Sequence, residues 1–145
     1  MKKLYCTLST DGSSDQVLIP ILTWLLQEHL SSWTINIQWA DPYDFPIASN
    51  TLAEKIKLSL ELHPCDLLFV HRDAEKEKHE FREREIHLAL EELKKAKSPI
   101  VIPVVCVIPV RMTEAWLLFD EAALRKAVDN PAGKNPLNLP KQIKN

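Results

Sequence analysis

The chain has 145 residues, a formal net charge of −2, 46% hydrophobic residues and 26% charged residues, which suits one ordinary globular domain and little more. Only 2 residues are glycine, Gly12 and Gly133, too few and too far apart for a Walker A loop or a dinucleotide fingerprint, which need several glycines close together; collagen-like and Gly/Ser-linker architectures are excluded with them. The charge leaves no global basic footprint, so any attraction for nucleic acid must come from a local patch or a bound cation.

Lys3–Ser9 is a β-rich opening run, and Thr10-Asp11-Gly12-Ser13-Ser14-Asp15 follows it with turn and N-cap chemistry. Val17–Leu30 is predicted helical, with Val17, Ile21 and Leu25 at i, i+4, i+8 and with Leu18 and Leu22 beside them. Pro20 falls in the first turn of that helix or kinks it. Trp33–Trp39 alternates, placing Trp33, Ile35, Ile37 and Trp39 on one face of a strand. Asp41–Pro46 is a loop. Thr51–Leu62 is a second helix with Leu52, Ile56, Ser59 and Leu60 on one face, ended by His63-Pro64.

Asp66–His71 holds the continuous apolar run Leu67-Leu68-Phe69-Val70 and reads as a strand buried on both faces. Glu75–Lys97 is densely charged, with an apolar seam at Ile86, Ala89, Leu90 and Leu93 and with i, i+4 pairs from Glu80 to Arg84 and from Glu91 to Lys95. Ile100–Ile108 reads as another buried strand. Arg111 to Val128 is a fourth helix, with Ala115, Leu118, Ala122 and Leu124 among its apolar positions. From Asn130 the chain carries Pro131, Pro136 and Pro140 with Lys134, Lys141 and Lys144, and shows no periodicity. The expected organisation is an α/β domain over 1–129 and an irregular tail over 130–145.

Cys6, Cys65 and Cys106 form no CxxC pair and lie in or beside apolar runs, as reduced thiols of a cytoplasmic protein would. No secretory signal is apparent, and the longest apolar runs, Val17–Leu26 and Ile100–Val110, are too short to span a bilayer. Trp24, Trp33, Trp39 and Trp116 do not interleave regularly with basic residues and read as core rather than as a base-stacking platform.

The alternation of strands and helices predicts right-handed crossovers and a compact three-layer α/β/α domain with a mainly parallel four-stranded sheet. In such sheets the ligand site lies outside the carboxyl ends of the strands. Acidic residues follow every strand there: Asp11 and Asp15, Asp41 and Asp44, Asp73 and Glu75, and Glu114. Asp73 and Glu75, two apart in an extended stretch, can point into one site, and Asp11 converges on them if strands 1 and 3 are neighbours. Such a trio would repel itself unless a hard divalent cation such as Mg²⁺ or Mn²⁺ compensated it. That ion would suit phosphate-ester chemistry. Asp11 is then a candidate for proton transfer and Glu114 a second one, while His71, Arg72 and Arg111 are candidates for steadying a phosphate. Asp15 reads first as a helix-dipole residue and second as a ligand. Gly12 marks the turn from strand 1 to helix 1, where a positive φ or a close ligand approach would need it. The plainer alternatives are an Asx turn at Asp11 and a solvated acidic helix start at Asp73 and Glu75.

The segment Asp11-Gly12-Ser13-Ser14-Asp15 resembles the E-G-x-x-D segment of the Toprim superfamily, and Leu67-Leu68-Phe69-Val70-His71-Arg72-Asp73-Ala74-Glu75 resembles its hydrophobic strand ending in D-x-D. Arg111-Met112-Thr113-Glu114-Ala115-Trp116-Leu117-Leu118 resembles a segment of small Toprim-like proteins related to the OLD-family nucleases. The resemblance spans roughly residues 1–120. It implies a proton-transfer role for Asp11, in place of the family's Glu, and Mg²⁺ binding by Asp73 and by Glu75, the latter in place of Asp.

Three functions are therefore in play. The first is metal-dependent nucleic-acid phosphodiester chemistry of a nuclease type. The second is a Toprim-like module without chemistry of its own, which binds or assembles with a partner protein and presents an apolar patch or a dimer face. The third is a receiver-like phosphoacceptor at Asp73, although that family wants adjacent acids after strand 1 and a lysine after the last strand. Nucleic acid and a partner protein are the candidate partners; a membrane is not.

Overall fold

Apolar and β-branched runs form the strands β1 (Lys2–Ser9), β2 (Trp33–Ala40), β3 (Leu67–His71) and β4 (Val104–Val107). Between them lie the helices α1 (Leu18–His29), α2 (Leu52–Leu62) and α3 (His79–Lys94). The structure, a computed structural model, describes residues 1–46, 49–97 and 99–110, with Ala132 and Lys134. The chain separates into two units, Met1–Val110 and Arg111–Asn145, and the strands and helices named here all belong to the first. The expected fourth helix, with Arg111, Glu114 and Trp116, and the boundary near residue 129 lie outside the described residues.

The sheet is parallel throughout, in the order β2-β1-β3-β4, as the alternation of elements predicts. Passing from β1 to β2 moves outward in one direction, and passing from β2 to β3 crosses back over β1. With right-handed crossovers, that reversal puts α1 on one face and α2 and α3 on the other. The core divides accordingly. On one face Cys6 and Leu8 of β1 and Phe69 of β3 pack with Leu18 and Leu22 of α1. On the other, Leu68 and Val70 of β3 pack with Ala53 and Ile56 of α2 and with Ile86, Ala89 and Leu93 of α3. Each buried aliphatic side chain of this kind contributes about 1.5–3 kcal/mol.

Polar links tie α2 to β1. The Ser59 hydroxyl lies 2.9 Å from that of Ser9, and the Thr7 hydroxyl donates to the His63 carbonyl at 2.7 Å. Thr51 caps α2 through a reciprocal pair with Glu54: its hydroxyl accepts from the Glu54 amide at 3.1 Å, and the Glu54 carboxylate accepts from the Thr51 amide at 3.2 Å. Cys6, Cys65 and Cys106 are free thiols. Burial, reinforced by Cys65 and Asp66, pushes the Cys6 thiol up to about 11. Among the described residues no helix is long and apolar enough to cross a membrane.

Several expectations are corrected. Helix α1 turns Leu18 and Leu22 inward, leaving Val17, Ile21, Leu25 and Trp24 exposed. Both stripes have helical period, so the period alone could not choose between them. Pro20 sits in the first turn and causes no break. The last strand is shorter than Ile100–Ile108 because Pro103 has no N–H for the ladder, although its carbonyl accepts from Leu68 at 3.0 Å. Strand β4 ends the described sheet and is half-open, with Val105 exposed. Helix α3 begins at His79 rather than Glu75, because Glu75 has a φ of 54° and Ala74 closes a turn onto Glu77. On α3, Glu91 pairs with Lys94, not Lys95, at 2.9 Å.

Candidate metal centre

The crossovers from β1 and from β3 leave in opposite directions, so the switch point of the sheet lies between the carboxyl ends of these two parallel strands, where ligands bind in such folds. Alternation along β3 decides which side chains enter it from each face. Phe69 and His71 share the face of α1, and Val70 and Arg72 share the face of α2 and α3. After β1, a short 3₁₀ turn over Ser13–Val17 carries Asp15 back under the sheet edge, where its residue is 5% exposed.

Asp15, His71 and Asp73 meet there, with one ligating atom from each lying within 4.8 Å of the others. His71 is 1% exposed. Its Nδ1 lies 3.3 Å from Asp15 Oδ2, and its Nε2 lies 3.5 Å from Asp73 Oδ1. Among the described residues neither ring nitrogen makes a hydrogen bond, and neither does the buried Oδ1 of Asp73. The Asp73 side chain is otherwise 39% exposed, so the cluster is closed at His71 and open at Asp73. Burial raises the Asp15 carboxyl above its ordinary value; His71 and the Gly12 amide oppose that shift, while Asp73 and Asp11 add to it. The Gly12 amide donates to Asp15 Oδ2 at 3.2 Å.

A neutral imidazole has one N–H and one lone pair, so it can donate to only one of the two carboxylates it faces. Unpaired buried polar atoms are costly. Two carboxylates and an imidazole lone pair within 4.8 Å of one another form a set that a cation could satisfy. The residues present therefore fit a metal ion, and these three could hold one.

The other candidates lie around this centre. Asp11 points to the α2 face, where its Oδ2 is 2.9 Å from Arg72 Nε and its Oδ1 is 3.8 Å from Lys55 Nζ. Arg72 also reaches Glu85 at 3.6 Å; Glu85 meets Arg82 at 2.9 Å, and Arg82 meets Glu75 at 3.7 Å. Glu75 does not join Asp73. The stretch between them is not extended, because Glu75 adopts a left-handed conformation and its side chain is 72% exposed. The expected trio of Asp11, Asp73 and Glu75 is thus replaced by Asp15, His71 and Asp73.

Gly12 has a φ of −144°, and a Cβ there would meet Asp15 Oδ2 at an ordinary 3.7 Å, so the turn does not require glycine. Trp39 and Trp33 are half-buried, and Trp39 Nε1 donates to Thr10 Oγ1 at 3.0 Å beside the centre. Arg111 and Glu114 lie outside the described residues. A groove of about 560 Å³ along α3, lined by His87, Leu90, Ile100 and Ile102 among others, contains none of Asp11, Asp15, His71 and Asp73.

Sequence reasoning placed His71 among phosphate-steadying residues and Asp15 second to Asp11. The strand period held the missing signal: His71 has the parity of Phe69, hence the face of α1 and of the turn that carries Asp15. No family model, no curated protein and no solved structure matches the chain.

Proposed function

We propose that this chain performs metal-dependent phosphodiester chemistry on nucleic acid, of a nuclease type, with an acidic site of the Toprim kind. The observation that carries the reading is the convergence of Asp15, His71 and Asp73 at the carboxyl ends of β1 and β3. Carboxylates alone would favour Mg²⁺ or Mn²⁺. A divalent ion bound there supplies polarisation of a phosphoryl oxygen and orientation of an attacking water.

Asp15 and Asp73 would face the cation with their carboxylates, and His71 lies within 3.5 Å of both. Asp73, open to solvent, defines the side from which a phosphodiester enters. Arg72 and Lys55 lie at the same edge of the sheet, where both are engaged by Asp11. The free thiols Cys6, Cys65 and Cys106 support placing this activity in the cytoplasm.

Plasmid nicking with the full chain tests the proposal. Activity is expected only with a divalent ion present, and Asp73→Ala is expected to lower it on the order of 100-fold or more. Full activity in Asp73→Ala, or in the presence of excess chelator, would refute it.

One observation favours a second reading, a module that binds or assembles with a partner protein and has no chemistry of its own. Asp11, the residue in the proton-transfer position of the resemblance, is held by Arg72 and Lys55. Under that reading the wild-type chain nicks no substrate with any divalent ion.

A further inference from the structure

Metal ions differ in what they accept, and the donor set at this centre is not all oxygen. Mg²⁺ and Ca²⁺ are hard ions that take oxygen ligands. Imidazole nitrogen suits Zn²⁺ and its neighbours in the first transition row. His71 is costly at this position unless its nitrogen is used: it is fully buried, and among the described residues both of its ring nitrogens lack a hydrogen bond.

We infer that the ion held by Asp15, His71 and Asp73 is of the Zn²⁺ class, bound through one ring nitrogen of His71, and not Mg²⁺. This rests on the reading of the cluster as a metal centre and narrows it. The number of donors agrees: hydrolytic zinc sites use three protein ligands and leave a further position open, and here three residues converge with Asp73 facing solvent. The spacing agrees as well. Tetrahedral ligands about 2.0–2.1 Å from a zinc ion lie about 3.3 Å from one another, and Nδ1 of His71 stands 3.3 Å from Asp15 Oδ2.

The test uses the full chain, purified free of metal. Calorimetric titration with Zn²⁺, Co²⁺ and Mg²⁺ is expected to give one tight site for Zn²⁺ and Co²⁺, with Mg²⁺ weaker by on the order of 100-fold or more. X-ray absorption of the Zn²⁺-loaded wild-type chain is expected to show an oxygen and nitrogen shell with imidazole scattering and no sulfur. Because it uses no variant, this measurement does not depend on whether a change at buried His71 folds. His71→Gln is expected to lose on the order of 100-fold in Zn²⁺ affinity while its Mg²⁺ affinity is unchanged. If His71→Gln does not fold, Asp73→Asn at the half-exposed position is expected to lose Zn²⁺ affinity on the order of 10-fold or more.

A sulfur shell, an oxygen-only shell, or Mg²⁺ binding as tightly as Zn²⁺ would each overturn the inference. Nicking supported by Mg²⁺ with no imidazole scattering would overturn it while leaving the proposed function intact. Failure to bind any of the three ions would overturn both.

Discussion

Two groups of charged residues share the carboxyl edge of one sheet and differ in how their charges are met. On the face of α2 and α3, Lys55, Asp11, Arg72, Glu85, Arg82 and Glu75 form an alternating chain in which each charge has an opposite neighbour within 3.8 Å. On the face of α1, Asp15, His71 and Asp73 leave both ring nitrogens and a carboxylate oxygen without a hydrogen bond among the described residues, as Arg72 Nε and Arg82 Nε are left in the first group. The first group is partly exposed and compensated by its own members, so it is a brace between β1, β3, α2 and α3. The second centres on buried His71, between two carboxylates that have no Lys or Arg partner among the described residues, so a cation could complete it. Residue type does not separate the two groups; depth and the presence of arginine and lysine partners do.

The sharpest way to break this contrast is Asp15→Asn. A ligand that binds only the folded state at about 100 times its Kd adds about 2.7 kcal/mol of stability. Urea denaturation of the wild-type chain is expected to register that gain with a saturating divalent ion, and the variant is expected to show none of it. Without metal the contribution of Asp15 depends on pH. Burial raises the folded Asp15 carboxyl, so the folded state holds its proton more firmly than the unfolded state does. The stability from Asp15 is then full below the ordinary carboxylate value and is lost as pH rises from there through the raised folded value. The variant is expected to lack that decline, and an equal decline in both would contradict the buried setting of Asp15.

A smaller effect is expected from Arg72→Met, which interrupts the brace. Partly exposed ion pairs contribute about 1 kcal/mol or less, and 1 M salt screens them. The loss is therefore expected to be about 1 kcal/mol at low salt and to shrink at high salt, with cation affinity changed by less than about twofold. A large loss of cation affinity in this variant would merge the two groups into one site.

The smallest change is expected from Glu75→Gly. Relieving the left-handed backbone there favours glycine by about 1 kcal/mol, offset by a few tenths from the lost approach to Arg82. Thermal denaturation is expected to show a slight stabilisation, and metal titration no change. Weaker metal binding would return Glu75 to the centre.

The layout of the fold was legible because β2 carries period 2, β3 is a short continuous apolar run, and the helices carry seams of period 3.6. Trp33, Ile35, Ile37 and Trp39 share a face as read, and Ile86, Ala89 and Leu93 form the buried seam of α3. Where two seams competed, as in α1, burial chose the one that fitted Phe69 and Leu8. The place of the centre was legible as well, since the carboxyl ends of the strands follow from a parallel sheet. Its membership was harder to read. Asp15 is buried by a short 3₁₀ turn that has no repeating pattern, and Glu75 is turned away by a single backbone angle. Neither effect shows in spacing, which counts residues but not the direction in which a turn sends them.

The bond from Trp39 to Thr10 has an optical consequence. Thr10 Oγ1 accepts the indole proton and donates to the Gly12 carbonyl at 3.0 Å, and the Gly12 amide in turn donates to Asp15. The chromophore of β2 is thus wired, through two backbone groups and a hydroxyl, to a carboxylate of the centre. Trp24, exposed on α1, has no such wiring. The protein carries its own lamp beside the centre: whatever pulls on Asp15 changes the electrical surroundings of an indole, and so the colour of the light it emits.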